Sequence, residues 1–467
     1  MTIQMTTDHA TQGGSAGVLA QVRTVFNTGR TRSVAWREEQ LRAIERMCEE
    51  REAEISEALI SDLGRSAFEA WLGDIASTKA EAVFARKHFR KWMKPRRQNL
   101  PLAQMPGRAW VQYDPIGVVL VIGPWNYPFF LCMSPVVAAV AAGNGAVIKP
   151  SELAPATSEL IARLVPQYLD PEAIRVVEGA ADVTQDLLSQ GFDHALFTGG
   201  TEIGRKIMAA AAPTLTPVTL ELGGKSPVLV LPDADLDVTA RRIAWTKLLN
   251  SGQTCIAPDY VLADRAIARE LTEKIVATIA KFRADQTNPS LRIVNERQFD
   301  RLLVSLLATT TGKVVTGGGS DRSTLSIDPT VIVDPAPDDP VMAEEIFGPI
   351  LPIITVGSTE EAVAFVNSRP KPLALYVFTA SQDVGRDLVD RMPSGGAVIN
   401  HIAMHCLVPQ LPFGGIGASG MGAYHGQWGF EALSHRRAVL SKPAKPDPSL
   451  LYPPYTDRAM KILRRLL

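Results

Sequence analysis

The residues best suited to chemistry in this chain are one thiol, one carboxylate and one amide, far apart in sequence. Cys255 lies in "NSGQTCIAPDY" (250–260), a polar stretch holding Gly252 and Thr254 rather than an apolar stripe. A nucleophilic cysteine must ionise, which an electropositive or helix-terminal setting favours, and the helix expected over 238–249 runs into this loop. An isolated cysteine beside glycine also serves structure, so the stretch alone leaves both readings open. Glu221 stands between two leucines in "TLELGGKSP" (219–227). At a buried strand end, desolvation would raise its pKa and suit it to general-base work; the alternative is a satisfied strand-end carboxylate. Asn126 in "GPWNYPFF" (123–130) offers an amide donor that could hold an oxyanion, or is simply a turn residue. Its neighbours Trp125, Tyr127, Phe129 and Phe130 either line an apolar substrate entrance or join the core.

Other stretches suggest a bound nucleotide. "VIKPSE" (147–152) carries Lys149 and Glu152 at a strand end, where they could hydrogen-bond the ribose hydroxyls of an adenosine or form a surface ion pair. "FTGGTEIGR" (197–205) reads as strand, then Gly199, then Gly204 in an opening helix. Glycines let backbone approach a pyrophosphate and a helix N-terminus favours anions, although this spacing is a weak signal. The six glycines of "PFGGIGASGMGAYHG" (412–426) argue for tight backbone crossings rather than chemistry.

The elements that must position these residues follow from periodicity. Between Val34 and Leu63 the residues Leu41, Ile44, Cys48, Ile55 and Leu59 fall near helical spacing, with a stop at Gly64, so Cys48 belongs to a core. A second helical stretch covers Phe68–Met93, and the Pro- and Gly-rich segment after it, with an extended piece over Ala109–Tyr113, reads as an excursion or hairpin. From Gly117 strands alternate with helices, which implies a doubly wound parallel sheet whose ligands sit at the strands' carboxyl ends. A second α/β stretch begins near Val218 and continues to about Ile399. Beyond it lie the glycine-dense segment, a helix near Gly426–Leu433, a Pro-rich tail and a short basic amphipathic helix.

Bulk properties exclude several classes. A net charge of −1 leaves no electrostatic footprint for nucleic acid or an anionic membrane. No apolar run reaches the roughly 18 residues needed to span a bilayer, and the first residues lack a secretory pattern and read as a disordered lead. Four cysteines in so long a chain make no disulfide framework, and no spacing suits a metal, so a reducing, cytoplasmic setting is expected.

Taken together, "GPWNYPF", "AGNGAVIKPSE", "FTGG", "LELGGKSP", "GQTC", "EEIFGP" and "PFGG" resemble the NAD(P)-dependent aldehyde dehydrogenase superfamily. "NSGQTCIAPDY", "PFGGIGASGMGAYHG" and "SHRR" look most like its class 3, which includes fatty, aromatic and coniferyl aldehyde dehydrogenases. The resemblance implies an α/β fold with a Rossmann-type cofactor domain (1–217, interrupted by a bridging hairpin at about 95–114), a catalytic domain (218–408) and a returning segment with an oligomerisation element (409–467). It further implies that Cys255 attacks the aldehyde, that the Asn126 amide and the Cys255 N–H hold the oxyanion, and that Glu221 activates the hydrolytic water. Lys149 and Glu152 would hold the adenosine ribose, Gly199 and Gly204 the pyrophosphate turn, and Glu345 with Phe347 the nicotinamide riboside of NAD, with NADP as an alternative. A substrate tunnel would pass Tyr127, Phe130 and His401, unless His401 serves a subunit contact instead. The implied substrate is an apolar aldehyde, the implied assembly a homodimer without membrane anchor. Two departures from the family pattern stand out: Gly200 where a serine is usual, and His401 where an aspartate is usual. The competing readings are a cofactor-independent cysteine esterase and a semialdehyde dehydrogenase acting on a charged substrate.

Overall fold

The computed structural model describes residues 15–284, 292–447 and 451–466; the expected disordered lead falls almost wholly outside them. The first alternating region forms a six-stranded sheet in the order Gly420–Met421, Val218–Glu221, His194–Thr198, Val118–Ile122, Gly145–Lys149, Ile174–Val176. Its strands run parallel except Gly420–Met421, which pairs antiparallel with Val218–Glu221. Val118–Ile122, Gly145–Lys149 and His194–Thr198 are buried throughout, as expected of parallel strands covered on both faces. Alternation along Val118–Ile122 divides the core. Val119 and Val121 pack with Leu41, Ile44, Cys48 and Phe89 of the N-terminal helices, while Val118, Leu120 and Ile122 pack with Val18, Val22 and Ile207.

A seven-stranded sheet follows, ordered Lys313–Thr316, Thr330–Val333, Ile350–Val356, Tyr260–Asp264, Pro227–Val230, Ala374–Phe378, Gly396–Ile399. Only its first pair is antiparallel. Helices Leu236–Leu248 and Ala268–Ala284 cover one face through Ile243, Ala244, Leu271 and Ile275. A third, antiparallel sheet joins Arg96–Gln98, Arg108–Pro115 and Ser434–Ser441.

One boundary moves. The strand Val218–Glu221, read from sequence as the start of the second stretch, lies in the first sheet, with Glu221 beside Thr198 and Leu220 in the same core as Phe197. The chain crosses to the second sheet only between Glu221 and Pro227. Alternation shows that a strand exists but not which sheet accepts its edge.

Candidate active site

The carboxyl ends of the first sheet open onto a cleft of ≈ 650 Å³ whose walls include Asn126, Gly199, Glu221, Cys255, Glu345 and Phe347. Cys255 reaches it on a loop that the helix Leu236–Leu248 feeds, after Asn250 (φ 51) and Ser251 (φ 57) turn through left-handed conformations. Gly252 follows at φ +72, where a Cβ would strike the Gly348 carbonyl, so the chain needs glycine there. Gln253 locks the loop: its Nε2 donates to the Asn250 carbonyl at 3.1 Å and to the Arg292 carbonyl at 3.0 Å, and its Oε1 accepts the Val294 N–H at 3.0 Å. Cys255 is half-buried and, like Cys406, packs against the cluster that includes Phe413 and Tyr424. Burial pushes its thiol well above the ordinary cysteine value, and Glu345, Cys406 and Glu221 add to the rise. Both influences favour the thiol over the thiolate.

Asn126 approaches from the turn after Val118–Ile122 and is 4% exposed. Its Nδ2 gives one hydrogen to the Gln253 carbonyl at 3.2 Å, leaving the second amide hydrogen for a ligand in the cleft. Beneath it lies a buried ion pair, Arg65 with Asp74, that the sequence reading did not single out. Asp74 Oδ1 accepts the N–H groups of Phe129 (3.1 Å) and Phe130 (2.9 Å), satisfying donors at the start of helix Phe130–Ala142. Burial raises the Asp74 carboxyl and Arg65 opposes the rise.

Glu221 ends its strand fully inside the protein, with both carboxyl oxygens buried and unpartnered. Burial alone drives its pKa well above the ordinary 4.5. An unpaired buried carboxyl is costly unless protonated or served by a ligand or water, and such groups concentrate at functional sites. Glu345 lies against Gly223, where a Cβ would collide with its carboxylate. Its pKa rises to about 8 through burial and then Asp259, while the Gly224 N–H bonds the carboxylate and opposes the rise. Lys225 and Asp259, also missed from sequence, brace this segment. Lys225 Nζ pairs with Asp259 and donates to the carbonyls of Val341 and Glu344, each at 2.8 Å; Asp259 Oδ1 accepts the Ile346 N–H at 2.9 Å. Phe347, held at φ 51, meets Trp125 edge-on at 5.3 Å, and both line the cleft.

The nucleotide candidates divide. Gly199, Gly200 and the first turn of helix Thr201–Ala211 line the cleft. Gly204 does not; a Cβ there would come within 2.6 Å of Leu222 Cδ2, so this glycine lets the helix lie close to the sheet. Lys149 and Glu152 sit together at the carboxyl end of Gly145–Lys149, Nζ to Oε2 2.9 Å, and Lys149 also donates to the Gly179 carbonyl at 2.9 Å. That strand end adjoins Ile122, itself beside Phe197, so the pair stands along the same sheet edge as Gly199. Of the tunnel candidates, none lines the described cleft. Tyr127 supports the thiol's loop through a 2.8 Å bond between its hydroxyl and Thr254 Oγ1, Phe130 meets His425 edge-on at 6.1 Å, and His401 Nδ1 accepts the Ile402 N–H at 2.8 Å. The four cysteines are free. Among the described residues no group of side chains could hold a metal ion, and no helix is long and apolar enough to cross a membrane.

The site does not stand alone among known proteins. The aldehyde dehydrogenase family model matches residues 4–439. The chain is 46% identical over 442 residues to mouse aldehyde dehydrogenase family 3 member A2, covering 94% of this chain and 91% of that protein. It is likewise 46% identical over 425 residues to a rat aldehyde dehydrogenase described as dimeric and NADP-preferring, covering 90% and 93%. Among solved structures, substrate-bound AldH of Staphylococcus aureus superposes with a TM-score of 0.92 at 38% identity, covering 97% of this chain and 99% of that one. A cofactor-free esterase finds no support among these relatives. The chain therefore belongs to the aldehyde dehydrogenase family and is an enzyme that oxidises aldehydes with NAD(P).

Proposed function

We propose that the enzyme oxidises apolar aliphatic or aromatic aldehydes to carboxylates through a thioester on Cys255. The single observation that carries this reading is the convergence of Cys255, Asn126 and an unpartnered, buried Glu221 on one cleft. Cys255, after its thiol has given up its proton to solvent in the cleft, adds to the aldehyde carbonyl, and the free amide hydrogen of Asn126 with the Cys255 N–H holds the resulting oxyanion. When bound, the nicotinamide supplies the hydride acceptor. Collapse of the oxyanion with loss of hydride leaves the acyl group on sulfur. Glu221, once ionised, takes a proton from water as the water adds to the thioester; the Cys255 thiolate departs and the carboxylate is released. Residues along the sheet edge suit an NAD(P) nucleotide: Lys149 and Glu152 at the adenosine ribose, Gly199 and the amides of the Thr201–Ala211 helix at the phosphates, Glu345 and Phe347 at the nicotinamide riboside. Gly204 serves indirectly, by letting that helix lie close. The Glu152 carboxylate disfavours a 2′-phosphate, which favours NAD over NADP.

Two observations favour an uncharged substrate. The thiol lies at the edge of a cluster that includes Phe413 and Tyr424, and the acidic groups acting on it, Glu345 and Glu221, are held toward their neutral forms by burial and offer a semialdehyde's carboxylate no cation. Comparing kcat/KM across straight-chain aldehydes of increasing length, an aromatic set and a carboxylate-bearing semialdehyde tests this. A rise with apolar size is expected; a semialdehyde as best substrate overturns it. We also propose a cytoplasmic homodimer, supported by the unpaired thiols and by the exposed edge strand Ser434–Ser441.

A further inference from the structure

We propose that Arg65 is a positioning residue for this chemistry, its guanidinium setting the spacing between the Asn126 arm and the Cys255 loop. The inference rests on the roles of Cys255 and Asn126 proposed above. Arg65 follows helix Glu52–Leu63 in "DLGRS", far in sequence from both. Its side chain is 1% exposed, and each nitrogen serves a different element. Nη1 pairs with Asp74, Nη2 donates to the backbone carbonyl of Asn126, and Nε donates to Asn250 Oδ1 at 2.9 Å. Asn250 closes the link, giving its amide hydrogens to the Asn126 and Gln253 carbonyls, both at 3.0 Å. The Gln253 carbonyl also receives the Asn126 side chain, and Cys255 is two residues on. A second route runs in parallel: the guanidinium lies over the Tyr127 ring at 4.3 Å, and the Tyr127 hydroxyl bonds Thr254, next to the thiol.

A buried ion pair can be mere core cement, and pairing with Asp74 alone would satisfy that role. Here the other two donor groups go to Asn126 and Asn250, the residues that bracket the oxyanion donor and the thiol's loop. Asn250 and Ser251 hold left-handed backbone, which persists only where surroundings over-determine it. The three acceptors lie in directions that a planar guanidinium can span and a single ammonium cannot.

Arg65→Lys keeps the charge opposite Asp74 and severs the fork. The test measures single-turnover aldehyde oxidation by nicotinamide absorbance, with cofactor affinity and melting temperature measured alongside. The expected result is a step slowed about 10- to 100-fold, the penalty for a displacement of up to about an ångström, with cofactor affinity unchanged. In an Asn126→Ala background the same substitution should slow the step less, because part of its effect is exerted through Asn126. Asn250→Gly, which tolerates the left-handed backbone but lacks the linking amide, should behave like Arg65→Lys and decides the matter if that variant does not fold. Parental rates in these variants, or equal slowing with and without Asn126, overturn the proposal. A parental rate in Asn126→Ala alone overturns the oxyanion reading, and the proposal with it, which separates the two failures.

Discussion

Burial raises Glu221 and Cys255 each above its ordinary value, which favours the protonated carboxyl and the thiol. Below its raised pKa Glu221 carries a proton and cannot take one from water, and the thiol is less nucleophilic than a thiolate. Turnover should therefore climb as pH rises through neutrality and should not show the low-pH plateau of an ordinary carboxylate. A pH profile of kcat checks this; a flat profile from pH 5 upward contradicts it. Cys255→Ala should abolish oxidation while cofactor binding, followed by fluorescence titration, persists. Gly200 offers a gain-of-function test. A Cβ there meets nothing within 4 Å, and the residue caps helix Thr201–Ala211 from extended backbone. Gly200→Ser should fold normally, gain a few tenths of a kcal/mol from the better cap, and tighten cofactor binding through a hydroxyl at the phosphates; weaker binding by titration would contradict that geometry.

At the scale of elements, Glu81 on helix Ser77–Trp92 accepts the Gly426 N–H at 2.8 Å and so ties the start of the returning helix Gly426–Ala432 to the N-terminal bundle. Burial raises Glu81 from 4.5 to about 7. Between those values the native state holds a proton that the unfolded chain has lost, so stability falls as pH rises through this window and levels off above it. Glu81→Gln keeps the acceptor and removes the charge. Urea unfolding should show the variant gaining on the parent between pH 5 and 8, by about 3 kcal/mol at most; a constant difference would contradict the assignment. Helices with clear apolar stripes, such as the one carrying Leu41, Ile44 and Cys48, were legible in the sequence because a stripe is a local property. The sheet chosen by Val218–Glu221 was not, since its partner strand is decided across the molecule. Arg65 hid for the same reason. In "DLGRS" it looks like a polar helix stop, and only Asn126 and Asn250 make it interior.

Across the whole molecule, the first sheet contributes Asn126, Glu221 and the edge that carries Gly199 and Lys149, and the loop before strand Tyr260–Asp264 of the second sheet contributes the thiol. The chain that returns after Pro409 pairs Gly420 with Glu221 and places Ser434–Ser441 on the third, antiparallel sheet. That last strand leaves an exposed edge, and light scattering should give a mass about twice 50.5 kDa; a monomer would contradict the proposed dimer. The chemistry-bearing residues were legible because their types and order are distinctive. The buried groups that brace them, Asp74, Lys225 and Asp259, were not, because a charged residue reads as surface until its partner is located. The central claim is that Cys255 carries the acyl group and Glu221 releases it. Mixing Glu221→Gln with aldehyde and NAD, then quenching and mapping peptides by mass spectrometry, tests it most directly. The account predicts one equivalent of acyl adduct on Cys255 after a single burst of oxidation; steady parental turnover, or an adduct on any other residue, would contradict it.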